Sequence, residues 1–276
     1  MPRANVGDIE LYYQIHGDGF PLLMIQGFSG GHDAWFFQTR AFKKKYKVIV
    51  FDNRGIGKTQ RSPTPYTVKT MADDAVGLLN HLGIGKAHIL GMSLGGIVAQ
   101  EIAINYPAKV EKLVLVCTTT GDDEISNIHP DMLKAMGLKE GDTQPELRSL
   151  DFRKTTTGIV SLAFNKRLYR LINVPLVKLY MKRVDMEGLI QQMEAVVGHS
   201  TGDRINTIKA PTLVLTGTED RVISPHSSDD IAGKIPDARL VKLEGGSHAF
   251  FLEMRKEFNR EVLDFLKNGQ DNCPVS

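Results

Sequence analysis

The most informative segment of the chain is Lys86-Ala87-His88-Ile89-Leu90-Gly91-Met92-Ser93-Leu94-Gly95-Gly96. Its first half is a short apolar run typical of a buried strand, and its second half opens a helical pattern that continues to Asn105. Between them stands Gly-x-Ser-x-Gly, with Ser93 at the tip of a tight turn. A strand, a turn and a helix in this order indicate a nucleophilic serine. The alternative is a glycine-rich junction in which the serine has no catalytic role.

Further unbroken apolar runs predict strands that are covered on both faces, as in a parallel sheet. They span residues 47–51, 88–90, 113–116 and 212–215, and helical patterns at 67–82 and 94–104 lie between them. This alternation predicts an α/β fold, a mostly parallel twisted sheet flanked by helices. Residues 9–15 alternate in hydrophobicity and are followed by a Gly-Asp-Gly turn and a second apolar run at 21–25. We therefore expect the chain to open with a hairpin of these two strands.

The stretch 118–209 interrupts the alternation because it contains helical patterns but no clear core strand. It is far too long to be a bare loop within a compact domain. We therefore predict a helical cap at 118–209, inserted into a sheet domain formed by 1–117 and 210–276.

Two polar groups follow the later strands and complete a candidate catalytic set with Ser93. Asp220 follows the run at 212–215, and His248 follows the next strand after a pair of glycines. Functional groups gather beyond the carboxyl ends of parallel strands, so all three are expected at one edge of the sheet. Alternatives for the acid are Glu219 and, after the strand that ends at Cys117, the pair Asp122 and Asp123.

The order Ser, Asp, His, the strand–turn–helix at Ser93 and the inserted cap resemble the α/β-hydrolase superfamily, specifically its small capped esterase, enol-lactonase and C–C hydrolase branch. The resemblance covers nearly the whole chain. It implies that Ser93 is the nucleophile, His248 the general base and Asp220 the acid that orients the histidine. It also implies that Asp52 and Arg54, in a D-x-R-G-x-G loop beside Ser93, are scaffold residues.

The same resemblance points to an oxyanion hole made of the Phe28 and Leu94 backbone N–H groups. The loop that holds Phe28 usually begins His-Gly, whereas this chain has Gln26-Gly27. Because glutamine both donates and accepts hydrogen bonds, it can brace the loop in place of histidine.

Apolar residues near these groups predict a hydrophobic substrate pocket, although some of them can equally be core. The candidates for pocket residues are Gln26, Trp35, Met92, Phe164, Leu168, Ile172 and Val222.

Charge is distributed unevenly along the chain. The whole sequence has 34 basic and 32 acidic side chains, a formal net charge of +2, which argues against a general nucleic-acid binder. Residues 152–184, however, contain no acidic residue. This stretch holds eight basic ones: Arg153, Lys154, Lys166, Arg167, Arg170, Lys178, Lys182 and Arg183. It is either a solvated helix face or a surface that attracts an anionic or amphiphilic substrate or a membrane.

Several classes of protein are not supported by the sequence. No apolar stretch is long enough to span a membrane, no signal peptide is evident, and neither a metal-binding pattern nor a nucleotide-binding loop is found. Cys117 and Cys273, the two cysteines, are expected to be free thiols in a reducing compartment. We thus expect a cytoplasmic protein without cofactor or metal, whose oligomeric state, monomer or homodimer, the sequence leaves open.

These observations predict a carboxylic ester hydrolase that uses Ser93, His248 and Asp220 on small to medium hydrophobic acyl esters. The same triad serves enol-lactone hydrolysis, C–C bond hydrolysis and cofactor-free perhydrolysis, so these remain alternatives. A ligand receptor on a hydrolase scaffold is the alternative from another class.

Overall fold

The computed structural model describes residues 2–121, 130–136, 148, 150–181 and 184–267, and within them the chain forms one eight-stranded sheet. The strands are β1 (Arg3–Val6), β2 (Ile9–His16), β3 (Phe20–Ile25), β4 (Tyr46–Phe51), β5 (Ala87–Met92), β6 (Val110–Val116), β7 (Thr212–Gly217) and β8 (Ala238–Leu243). Their order across the sheet is β1-β2-β4-β3-β5-β6-β7-β8. All neighbours from β4 to β8 are parallel, as the apolar runs predicted.

The predicted opening hairpin is wrong in its partners. β2 pairs antiparallel with β1 on one side and with β4 on the other, so it does not contact β3. The hairpin is formed instead by β1 and β2, around a turn in which Gly7 has a φ of +55°. β3 pairs parallel with β4, and the turn before β3 lies against the backbone that leads into β4: a Cβ on Gly19 would lie 1.9 Å from the Lys45 carbonyl oxygen.

Helices cover both faces of the sheet. They are α1 (Phe36–Phe42), α2 (Val68–His81), α3 (Leu94–Asn105), α8 (Pro225–Lys234), α9 (Phe250–Glu253) and α10 (Arg255–Lys267). Alternate residues of one strand enter different cores: Leu23 packs with α2, α3 and α8, whereas Leu22 packs with α1 and α10. This two-sided burial explains why the central strands are apolar at nearly every position.

Four α-helices of the described chain lie between β6 and β7, in the stretch where a cap was predicted. They are α4 (Pro130–Met136), α5 (Phe152–Ala163), α6 (Arg167–Met181) and α7 (Met186–Val196). Phe152 of α5 and Leu189 of α7 are buried against Ile56, in the loop after β4. Nearby, a Cβ on Gly188 would lie 2.4 Å from the Gly55 carbonyl oxygen, so the two backbones touch. Among the described residues, no helix has the length and apolarity that crossing a bilayer requires.

Candidate active site

The turn that carries Ser93 is sharply strained. Ser93 has φ +53° and ψ −123°, and α3 begins at the next residue, Leu94. Two hydrogen bonds hold it: the Ser93 N–H donates to the Val116 carbonyl at 2.9 Å, and the Thr118 hydroxyl donates to the Ser93 carbonyl at 2.7 Å. A non-glycine residue keeps such a conformation only where its surroundings enforce it, as functional sites do.

The two glycines of the motif are required by close backbone contacts on either side of Ser93. A Cβ on Gly91 would lie 2.1 Å from the Gly95 carbonyl oxygen, and one on Gly95 would lie 2.3 Å from the Ile25 carbonyl oxygen. The pattern therefore reflects the packing of β3, β5 and α3 at this turn.

The structure pairs Asp220 with His248. An Asp220 carboxylate oxygen lies 2.7 Å from Nδ1 of His248, and both residues are buried. The other Asp220 oxygen accepts the N–H groups of Val222 and Ile223, at 2.8 and 3.0 Å. The carboxylate is thereby fixed in orientation and holds the histidine with its Nε2 available for another partner.

The alternative acids lie elsewhere. The Glu219 carboxylate, although adjacent in sequence, accepts a hydrogen bond from Asn165 at 2.9 Å on the exposed side of the loop. Asp122 and Asp123 lie outside the described residues, as does Cys273. Of the acids that the structure describes, Asp220 is the one hydrogen-bonded to His248.

The environment of His248 raises the pKa of its ring. Burial by itself disfavours the charged imidazolium, but the charge of the adjacent Asp220 and the hydrogen bond to it outweigh burial, so the pKa is well above its usual value. A neutral imidazole in this place has a strong affinity for a proton. This is the property required of a base that takes a proton from a serine hydroxyl.

Cys117, at the end of β6, contacts the same group of residues and was not identified from the sequence. Its Sγ lies 3.6 Å from the His248 carbonyl oxygen, and the thiol also contacts the Ser93 backbone. Its φ of +37° is unusual for a non-glycine residue. The neighbouring strand β5 ends at the same edge of the sheet, which is the signal that could have identified it. Cys117 thus packs between the turn of Ser93 and the loop of His248.

Among the described residues, the one cluster with metal-ligand atoms close together is Cys117, Asp220 and His248, whose ligand atoms lie within 4.8 Å of one another. Burial raises the pKa of the Cys117 thiol, so it remains protonated and is a poor metal ligand. Asp220 already accepts three hydrogen bonds. The cluster is therefore suited to proton transfer rather than to holding a cation.

The loop after β3 lies directly against Ser93. A Cβ on Gly27 would lie 3.0 Å from the Ser93 Cβ, closer than most side-chain contacts, so glycine favours this approach. Gln26 braces the loop: its side-chain oxygen accepts the Gly27 N–H at 2.8 Å, and its carbonyl accepts the Asn53 side chain at 3.1 Å. Within the described part of the chain, the N–H groups of Phe28 and Leu94 have no hydrogen-bond partner, so both can bind a substrate oxygen.

The next residue, Ser29, is held by two residues of the predicted cap. Its N–H donates to Oε1 of Gln192 on α7 at 2.9 Å, and its carbonyl accepts the Tyr180 hydroxyl of α6 at 3.2 Å. Ser29 has a φ of +61°, and Gln192 is fully buried. These contacts join residues more than 150 positions apart, and no feature of the sequence indicates them.

The predicted pocket residues divide into three groups. Four are about 5% exposed and lie near the catalytic turn or loops: Gln26, Met92, Phe164 and Val222. Trp35 is completely buried against Phe251, so it belongs to the core. Leu168 and Ile172 are 64% and 53% exposed, so the prediction that they line a buried pocket is wrong. Both lie on the outer face of α6, because Tyr169, Asn173 and Val177 occupy its inner face.

Comparisons with known proteins agree with this fold. Residues 21–254 match the model of the alpha/beta hydrolase fold family. A protein of Azorhizobium caulinodans named carbamate hydrolase RutD is 28% identical over 265 residues, which cover 96% of this chain and 98% of that protein.

Two solved structures are similar over almost the whole chain. A hydrolase from Pseudomonas aeruginosa has a TM-score of 0.80 at 28% identity, covering 94% of this chain and 95% of its own. Est816, described as an enzyme that degrades N-acyl homoserine lactones, has a TM-score of 0.81 at 26% identity, with 96% and 100% covered. With the matched family and the parallel sheet, these similarities show that the chain belongs to the α/β-hydrolase family and is a hydrolase.

Proposed function

We propose that this hydrolase is a cofactor-independent serine carboxylesterase. The observation that carries the proposal is the 2.7 Å contact between Asp220 and Nδ1 of His248, at the sheet edge where Ser93 lies in a strained turn. The loop after β3 supports it, because Gly27 lies against Ser93 and is followed by Phe28, whose N–H has no hydrogen-bond partner among the described residues.

In the proposed reaction, Nε2 of His248 takes the Ser93 proton as the hydroxyl oxygen attacks the ester carbonyl. The Phe28 and Leu94 N–H groups bind the resulting oxyanion, and Asp220 stabilises the imidazolium. The C–O bond then breaks as His248 returns the proton to the departing alcohol, which leaves an acyl group on Ser93. Water, deprotonated by the same histidine, releases the acid and restores the serine.

The test is labelling by a fluorophosphonate probe together with turnover of p-nitrophenyl esters of increasing acyl length. The wild-type chain should be labelled at Ser93 and should turn over the esters many times, whereas Ser93→Ala should do neither. Thr118→Ser, which retains the hydroxyl that supports the turn, is a matched control and should retain activity. Multiple turnover by Ser93→Ala at the wild-type rate would refute the proposed nucleophile, and labelling without multiple turnover would favour a receptor.

Carbamate hydrolysis is the second candidate function. It is supported by the relative named carbamate hydrolase RutD, which aligns with 96% of this chain. A carbamate carbonyl requires the same nucleophile, base and oxyanion hole as an ester carbonyl, so the described geometry serves both. Comparing kcat/KM for matched phenyl esters and phenyl carbamates separates them: the carboxylesterase proposal expects the ester to be preferred. Lactones and C–C bond substrates belong in the same panel because the triad also serves their hydrolysis.

A further inference from the structure

Helix α6 directs its large aliphatic side chains away from the protein. Five of them are more than half exposed and form what we call the apolar stripe: Leu168, Leu171, Ile172, Leu176 and Leu179. Their spacing of three and four residues places them on one helical face. The opposite face, which packs on the protein, carries Tyr169, Asn173 and Val177. A contiguous apolar face of this kind marks an interaction surface, unlike single exposed leucines.

The stripe lies on a helix whose position is fixed at both ends. At its start the Lys166 N–H donates to a Glu253 carboxylate oxygen at 2.7 Å, and near its end the Tyr180 hydroxyl donates to Ser29. From Leu168 to Leu179 the stripe extends for eleven residues, about 17 Å of helix at 1.5 Å per residue. The surface that it offers is therefore preformed.

The charge of the segment that carries the stripe favours an anionic partner. Residues 152–184 hold eight basic side chains and no acidic one, and Arg167, next to the stripe, is exposed. In a symmetric dimer formed through this face, two such basic segments would oppose each other. An anionic lipid surface instead offers negative headgroups to the basic residues and acyl chains to the stripe, the combination that interfacial helices bind.

We propose that the apolar stripe of α6, together with the basic residues of segment 152–184, binds the surface of anionic membranes, with the helix lying in the plane of the interface. This activity goes beyond ester hydrolysis and does not depend on the proposed triad. It gives a function to the basic segment 152–184, which the catalytic site does not use.

The experiment measures co-sedimentation of the Ser93→Ala full chain with vesicles, so that binding is recorded without turnover. Vesicles of phosphatidylcholine with phosphatidylglycerol should bind the protein and release it as salt rises, whereas vesicles of phosphatidylcholine alone should bind it much more weakly. Failure to bind the phosphatidylglycerol vesicles at low salt overturns the proposal. Equal, salt-independent binding to both compositions also overturns it, because the basic residues would then have no role.

Variants locate the surface. Leu171→Gln combined with Leu179→Gln should weaken vesicle binding by at least about tenfold, since two large apolar groups no longer enter the interface. Val197→Gln is the matched control: it removes an equally exposed aliphatic group from the end of α7, outside the stripe, and should leave binding unchanged.

Two further measurements complete the test. The Tm values of these variants should equal that of the wild type, because the changed side chains are exposed. Equal Tm values then show that the substituted chains fold. Sedimentation velocity tests whether a second copy of this chain, rather than a membrane, covers the stripe. If the wild-type protein is a dimer that dissociates in the Leu171→Gln and Leu179→Gln variant, the proposal is overturned and the stripe is a self-association surface.

Discussion

Replacing Gln192 by leucine should impair catalysis although Gln192 lies on α7, outside the triad. Gln192 accepts the Ser29 N–H at 2.9 Å and is fully buried. Ser29 directly follows Phe28, whose N–H is the proposed oxyanion donor, and its φ of +61° requires external support. Leucine has nearly the same volume but accepts no hydrogen bond, so the Ser29 N–H would be left unsatisfied and the loop less firmly held.

The size of the effect follows from these contacts. An unsatisfied N–H costs about 1–3 kcal/mol when it is buried and less at the half-buried Ser29, and a strained φ of this kind costs about 1–3 kcal/mol. If that free energy shifts the loop away from the conformation that presents the Phe28 N–H, kcat falls by about 5-fold to 100-fold, since 1.36 kcal/mol is tenfold in rate. The upper limit is loss of a whole oxyanion donor, about 2.7–4 kcal/mol.

The assay is steady-state ester hydrolysis with kcat and KM determined separately. For Gln192→Leu we expect the loss mainly in kcat, because the oxyanion forms after substrate binds. Gln191→Leu makes the same substitution at the preceding position of α7 and should stay within about twofold of wild type. Tyr180→Phe removes the other hydrogen bond to Ser29, at a more exposed position, and should cost less than Gln192→Leu.

Three results would separate the outcomes. A normal Tm with a reduced kcat supports the role of Gln192 in holding the loop. A kcat for Gln192→Leu equal to that of Gln191→Leu would refute it, because the Ser29 contact would then have no influence on the oxyanion hole. A change confined to KM would also refute it, since it would show that Gln192 acts on substrate binding instead.

Further predictions concern the catalytic acid, pH and stability. Asp220→Asn should lower kcat by about 10⁴-fold, whereas Glu219→Gln should leave it nearly unchanged, because only Asp220 is hydrogen-bonded to His248. kcat/KM should fall as pH drops through the pKa of His248, because the histidine must be neutral to accept a proton. Since Asp220 raises that pKa, the fall in kcat/KM should occur at lower pH in Asp220→Asn. Burial favours the neutral form of Glu101, but its contacts with His199 and with the Arg204 guanidinium outweigh burial and lower its pKa to about 2, from 4.5 when unfolded. Glu101 therefore contributes stability that is fully present above about pH 4.5 and is lost as pH falls towards 2. Glu101→Gln should lower the free energy of unfolding by about 2 kcal/mol at pH 7, after allowance for a half-exposed arginine partner. The free energy of unfolding, measured with urea, should then fall less steeply below pH 4.5 in the variant than in the wild type.

The strands of the sheet could be predicted from the sequence because burial on both faces leaves a direct mark: β4 to β7 are almost entirely apolar. The partners of the first strands could not be predicted. A turn signal at 17–19 is compatible with a hairpin or with a crossover, and the structure adds β4 between β2 and β3. Which strand fills that gap depends on pairing across the sheet, which local periodicity does not encode.

The same distinction holds at the site. Ser93, Asp220 and His248 each follow a strand, so the rule for parallel sheets was enough to bring them to one edge. Gln192 could not be found in this way because its partner Ser29 lies 163 positions earlier, and the contact depends on how α7 docks on the sheet domain. Short-range motifs were thus enough to select the proposed reacting groups, whereas the groups that hold the proposed oxyanion loop required the tertiary structure.

Helix α6 shows why the orientation of a helix can escape prediction even when the helix itself does not. Ten of its fifteen residues are apolar, far more than one buried face can cover, so the sequence pattern alone does not decide which of them face the protein. The choice is made by contacts outside the helix: Tyr169 packs on Phe164 and Val177 on the cluster around Ile56, which turns Leu168 and Ile172 outward. Leaving the aliphatic side of such a helix in water forfeits the free energy of its burial. A fixed helix that does so, within a segment free of acidic residues, has the features of a surface whose partner is a separate molecule.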